Sequence, residues 1–167
     1  MWQSGSGPTG EEPTVDWYLP LKLVHVLSAI VAVGTNVTYF VWLAAMKDRP
    51  PAEQSFALDT LKKLDSRLAN PAYGILPLTG VIMILVSDGV AFTTFWILFA
   101  IGLYILVGVF AGALFAPSLR RQTELVATDV SDSAAYEAAA RRTRTTGLLT
   151  MLPIAGILYL MVLKPTP

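Results

Sequence analysis

Cysteine is absent from this 167-residue chain, and histidine occurs once, as His25. The first absence excludes disulfides, zinc thiolate sites, iron–sulfur clusters and cysteine nucleophiles. The second excludes a bis-histidine haem within one chain and every His-Glu-x-x-His metal motif. Neither a phosphate-cradling glycine loop nor a Ser-His-Asp arrangement can be assembled from what remains, and no metal-binding cluster is expected. Charge is also scarce. Only 14% of residues are Asp, Glu, Lys or Arg, against about 25% in an ordinary soluble domain. The net charge is zero, so no nucleic-acid partner is expected either.

Oil is what the sequence has in abundance. Four apolar runs cover approximately residues 17–46, 70–87, 92–117 and 146–163. About 20 apolar residues in a helix cross a hydrocarbon layer some 30 Å thick, and all four runs fall near or above that length. The fold expected is therefore all-α, a transmembrane four-helix bundle with up-down-up-down order and cytoplasmic helical extensions. The domain spans 17–167. Residues 1–16, rich in Gly, Ser, Pro and Glu without a basic start, read as a flexible extracytoplasmic tail and not as a signal peptide.

Cations give the orientation. Lys47, Arg49, Lys62, Lys63 and Arg67 lie between runs one and two, and Arg120, Arg121, Arg141, Arg142 and Arg144 between runs three and four. Only Lys22 and Lys164 fall on the other flank. The positive-inside rule then places both long connections in the cytoplasm and both termini outside. Trp17, Tyr18, Phe95 and Trp96 would form an outer aromatic belt, with Trp42 and Tyr73 near the inner one.

Residues 52–68 carry Phe56, Leu61, Leu64 and Leu68 at near-helical spacing, with Lys62, Lys63 and Arg67 off that stripe. This predicts an amphipathic helix on the inner membrane surface, basic enough to meet anionic headgroups, the alternative being a cytoplasmic extension continuing straight into the second span. Pro71 predicts a break or kink near Asn70, and Pro117 a bend or end just before Arg120. Pro77 predicts a kink in the second span, tolerated because a neighbouring helix can satisfy the carbonyl it frees. "SDG" at 87–89 reads as a tight turn, and the alanine-rich stretch before Arg141 starts the last helix well before the membrane.

Three features could carry function. Gly108, Gly112 and Ala116 recur every four residues, a spacing that lets another helix approach closely; a helix of the same chain is the first expectation, and another membrane protein or a second copy the alternative. His25, Ser28, Ala32, Asn36 and Tyr39 share a face of the first helix, which should turn into the bundle because polar groups are costly toward lipid. His25 either hydrogen-bonds a carbonyl or hydroxyl of a neighbouring helix, as Asn36 does, or ligates haem or a metal, or relays a proton. For a haem ligand, Met161 is the internal candidate for the second axial position. Asn36-Val37-Thr38 matches a glycosylation pattern but lies inside a span. The acidic residues fall in the tail and connections, with Asp88 nearest a span end, so no intramembrane carboxylate is expected to drive a proton pump.

The stretches "LKLVHVLSAIVAVG", "RLANPAYGILPLTG", "FWILFAIGLYILVGV" and "APSLRR" resemble a bacterial family of predicted integral membrane proteins, domain of unknown function 2269. The layout is similar, more distantly, to the flavin-independent membrane protoporphyrinogen oxidase and to copper-resistance D proteins. That likeness implies a bacterial inner membrane and would cast His25 as an axial ligand of haem b. The lysine and histidine of the oxidase-like family's third helix have no counterpart in "FWILFAIGLYILVGVF", so haem is not the favoured reading. The leading expectation is a non-enzymatic integral membrane protein in a lipid bilayer, an accessory or scaffold subunit of a membrane complex. The alternatives are a haem- or porphyrin-associated redox protein using His25, and a small oligomeric transporter or channel subunit lined by Ser28, Asn36 and Tyr39.

Overall fold

A computed structural model describes residues 17–87, 90–128 and 134–165. The expected tail, residues 1–16, and two residues of the "SDG" turn lie outside the described residues. Among the described residues six α-helices follow one another: α1 Tyr18–Ala45, α2 Pro51–Leu64, α3 Asn70–Val86, α4 Phe95–Val109, α5 Ala116–Ala127 and α6 Ala134–Leu163. A first π turn, Asp65–Ala69, joins α2 to α3, and a second, Phe110–Phe115, joins α4 to α5. No strand occurs among the described residues.

Merged across the π turns, the described residues hold four helical rods of 28, 36, 33 and 30 residues, each apolar and long enough to cross a membrane. Within each rod's most apolar window, at most 33% of residues are buried inside the chain. Leu23, Ile30 and Val41 of α1, Leu152 and Val162 of α6, and many others point outward. In water such a surface would be an aggregation hazard. In lipid it is the outer wall, because each helix satisfies its own backbone groups.

Partners run in opposite directions along the pairs. Going down α1 from His25 to Asn36 to Tyr39, the bonded partners climb from Thr79 to Tyr73 to Asp65. On the other pair, Leu103 of α4 lies against Gly156, and Phe115 lies against Gly147 of α6. Lys164 stacks its ammonium 5.6 Å from the Trp96 ring centre, a cation–π contact that ties the end of α6 to the start of α4.

Of the outcomes expected at Pro71 and Pro117, a break near Asn70 and an end at Pro117 are absent; α2 runs through the first π turn into α3 as one helical rod. The reason is local. A proline is harmful inside an α-helix because it lacks an N–H for the carbonyl four residues back and its ring crowds that carbonyl. Here Asn70 N–H bonds Asp65 O and Ala116 N–H bonds Ala111 O, each five residues back. The extra residue re-registers the ladder, so Pro71 and Pro117 each fall at the second position of a new helix, where a missing N–H is harmless.

Beyond the apolar spans, α2, α5 and the first half of α6 pack together. Their core joins Tyr39, Leu43 and Met46 of α1 to Ala57, Leu58, Leu61, Leu125, Val126, Tyr136 and Ala139. On α5 the buried positions Ser118, Gln122, Leu125 and Val126 recur at the i, i+4, i+7, i+8 spacing of an amphipathic helix. Gln122 is 1% exposed; its Nε2 donates to Tyr136 Oη at 3.3 Å, while its Oε1 is buried without a partner. An orphaned buried acceptor costs about 1–3 kcal/mol. Gln122→Leu should therefore be neutral or raise stability by about 1 kcal/mol, read as the thermal midpoint in detergent; a clear loss would show that the amide is needed.

Candidate functional site

The residues with chemistry to offer line the seam between α1 and the rod formed by α2, the first π turn and α3. Ser28, Ala32, Thr35 and Tyr39 are buried on α1, with His25 and Asn36 half-buried beside them. The facing stripe, Asp65, Ala69, Ala72, Leu76 and Thr79, repeats at i, i+4, i+7, i+11 and i+14. Small side chains at 69 and 72, both buried, let the two backbones approach.

At the far end of the seam, His25 Nδ1 lies 3.1 Å from the Leu76 carbonyl oxygen and 2.9 Å from Thr79 Oγ1. A carbonyl can only accept, so Nδ1 carries the ring proton and donates it. Thr79 Oγ1 in turn donates to the Ile75 carbonyl at 2.8 Å. This tautomer leaves the lone pair of Nε2 uncommitted. Gly80 lies beside the ring: a Cβ there would stand 3.4 Å from His25 Cε1, an ordinary van der Waals contact. His25 and Asn36 thus do what the first of their expected roles requires, hydrogen-bonding the neighbouring helix.

Midway, Asn36 Nδ2 donates to Tyr73 Oη, and Tyr104 Oη of α4 donates to the Tyr73 carbonyl. That carbonyl is the one Pro77 leaves without its helical N–H partner, since Pro77 stands four residues on. The expected rescue by a neighbouring helix is present, and it ties α4 to α3.

At the near end, Tyr39 Oη donates to Asp65 Oδ1 at 2.7 Å, and Asn70 Nδ2 reaches Asp65 Oδ2 at 3.3 Å. The other face of the Tyr39 ring is occupied by Phe115, stacked with centroids 6.0 Å apart and planes 3° from parallel. Tyr39 therefore touches both π turns, one through its hydroxyl and one through its ring. Asp65, one of the acids of the connection between the first two spans, thus anchors the near end of the seam to α1.

Other expected site residues fall elsewhere. Met161 stands on α6, 36% exposed, whereas the partners of His25 come from α3. Gly108, Gly112 and Ala116 are exposed, and a Cβ built at either glycine meets nothing within 4 Å. No helix of the described residues packs against these glycines. The described residues hold no group of three His, Asp or Glu side chains placed to bind a metal ion. Asp65, Tyr73, Thr79 and Tyr104 were missed from sequence; the small-residue repeat at 69 and 72, read as a stripe across the π turn, is the signal that points to them.

Four long apolar rods joined by an internally bonded polar seam define an integral membrane protein of the multi-span helical class. The chain belongs to the family described as predicted integral membrane proteins, domain of unknown function 2269, whose model matches residues 19–165. No curated protein and no solved structure matches it.

Proposed function

We propose that this protein is a non-enzymatic accessory or scaffold subunit of a membrane complex, docking through the Gly108, Gly112 and Ala116 face. The single observation that carries this reading is the open space over Gly108 and Gly112. Small residues at four-residue spacing let a second helix come close enough for dispersion contacts, the main attraction available between helices in oil. The polar groups of the seam bond one another, which favours a packing role over a water-filled path. We place the protein in a bacterial inner membrane, up-down-up-down, with the long arginine- and lysine-bearing connections in the cytoplasm and both termini outside.

The test is a tagged copy purified from native membranes in mild detergent, with its mass measured intact. The wild type should carry a stoichiometric membrane-protein companion. Gly108→Leu with Gly112→Leu should lose it while keeping its own thermal midpoint within a few degrees, since neither side chain meets another in the chain. A wild type that runs alone would remove this reading.

A second reading is favoured by one observation, the uncommitted Nε2 of His25. Nδ1 donating to a backbone carbonyl is the arrangement that orients an imidazole for ligation through its other nitrogen. For a haem- or porphyrin-associated protein, preparations expressed with haem available should show a Soret band that disappears in His25→Ala. A colourless wild type under those conditions would end it.

A further inference from the structure

The basic ends of α5 and α6 enclose a feature that neither reading uses. A groove of about 270 Å³ runs between them, and Arg121 and Arg142 both line it. The rest of its lining is small, including Pro117, Ser118, Ala135 and Ala138. Among the described residues, no bulky apolar side chain lines the space between the two guanidinium-bearing walls. The geometry points to a binding site for the phosphate of an anionic phospholipid, held by Arg121 and Arg142 at the membrane surface.

Depth supports it. Counting 20 residues at 1.5 Å each back from Leu163 brings the hydrocarbon edge to about Arg144, and counting forward from Phe95 brings it to about Leu114. Arg142 then stands just past that edge. Arg121 lies about 10 Å further along its helix, within an arginine side chain's reach of the headgroup layer.

Charge order along the helices agrees. On the rod through α2 the order is mixed: Glu53 and Asp59 lie far from the apolar span, but Asp65 stands among Lys62, Lys63 and Arg67 next to it. On α5, Arg120 and Arg121 precede Glu124 outward; on α6, Glu137 is outermost, followed inward by Arg141, Arg142 and Arg144. The two extensions that form the groove therefore put cations at the membrane and acids beyond. Arg121 does meet Glu124, at 3.7 Å with both side chains more than half exposed, and such a pair is worth little. It leaves the guanidinium free to turn to phosphate, which its planar fork suits.

One more feature distinguishes a lipid from free phosphate. Leu149 and Leu152, seven and ten residues past Arg142, share its side of α6 and are exposed. Acyl chains descending from a phosphate at Arg142 would lie along them. Basic pockets between transmembrane helices are where anionic headgroups bind.

The experiment uses the full chain in neutral detergent, with retained lipid counted by native mass spectrometry after titration with phosphatidylglycerol or phosphatidylcholine. One phosphatidylglycerol should remain bound at concentrations where phosphatidylcholine has dissociated. R121Q/R142Q should weaken that retention at least about tenfold, whereas R120Q/R144Q, with the same loss of charge outside the groove, should change it less than about threefold. R121K/R142K should fall between, since lysine keeps the charge and loses the fork. A lipid-free thermal midpoint within a few degrees of wild type shows each variant folded; the single variants serve where a double fails this. Equal losses in the two glutamine doubles, equal retention of both lipids, or displacement by millimolar inorganic phosphate would each overturn the assignment, the last in favour of a soluble phosphate.

Discussion

Replacing Tyr39 by alanine should lower the stability of the protein by about 3–5 kcal/mol, the range for removing a large buried ring. Tyr39 is 6% exposed and belongs to the core at the basic end of the bundle. The change removes the ring from its stack on Phe115 and leaves Asp65 without the hydroxyl that donates to it at 2.7 Å. Tyr39→Phe separates the two effects. It keeps the ring and deletes only the bond to the carboxylate, so about 1.5–3 kcal/mol should be lost. Adding Asp65→Asn to each completes a double-mutant cycle, and the coupling should be found for the hydroxyl. The measurement is chemical or thermal unfolding in detergent followed by circular dichroism. A phenylalanine variant as stable as wild type would show that the hydroxyl–carboxylate bond contributes nothing.

The second large effect is expected at Leu58, which is 0% exposed where α2 meets the other extensions. Leu58→Ala should cost about 2–5 kcal/mol, the transfer term plus a cavity. The informative partner is Leu152→Ala. That side chain is 69% exposed on the apolar part of α6, and lipid tails are as apolar as leucine, so truncation there should stay within about 0.5 kcal/mol. The pair of values distinguishes a core that excludes water from a wall that faces oil. Comparable losses at both positions would mean that Leu152 packs against something other than lipid.

How far the sequence could be read depends on whether a constraint was local. The four spans were legible because a bilayer imposes length and composition on each segment separately, and both ends of α1 and the C-terminal end of α6 lie within a residue of where apolarity ends. The helical start of α6 before Arg141 followed from alanine's propensity alone. The small-residue repeat at 108, 112 and 116 announced a face but not what it faces, and no helix of the described residues packs against its glycines. His25 found Leu76 and Thr79, more than fifty residues away, and only the geometry of the seam makes that pairing visible. Asp65 read as a loop acid because Pro71 suggested a break after it. Once the π turn carries the helix through, the same acid falls in register with Ala69 and Ala72 and meets Tyr39.

Each π turn holds one residue more than an α-helix would place there, and that surplus fixes the rotational phase between a span and its extension. Excising a single residue from 65–69 would restore ordinary winding and turn everything upstream by about 100°. Leu58 and Leu61 would then swing away from α5 while the stripe from Ala72 to Thr79 stayed put. The two halves of each bent rod are thus keyed like the wards of a lock, and a segment borrowed from another protein could replace one half only if it brought the same offset.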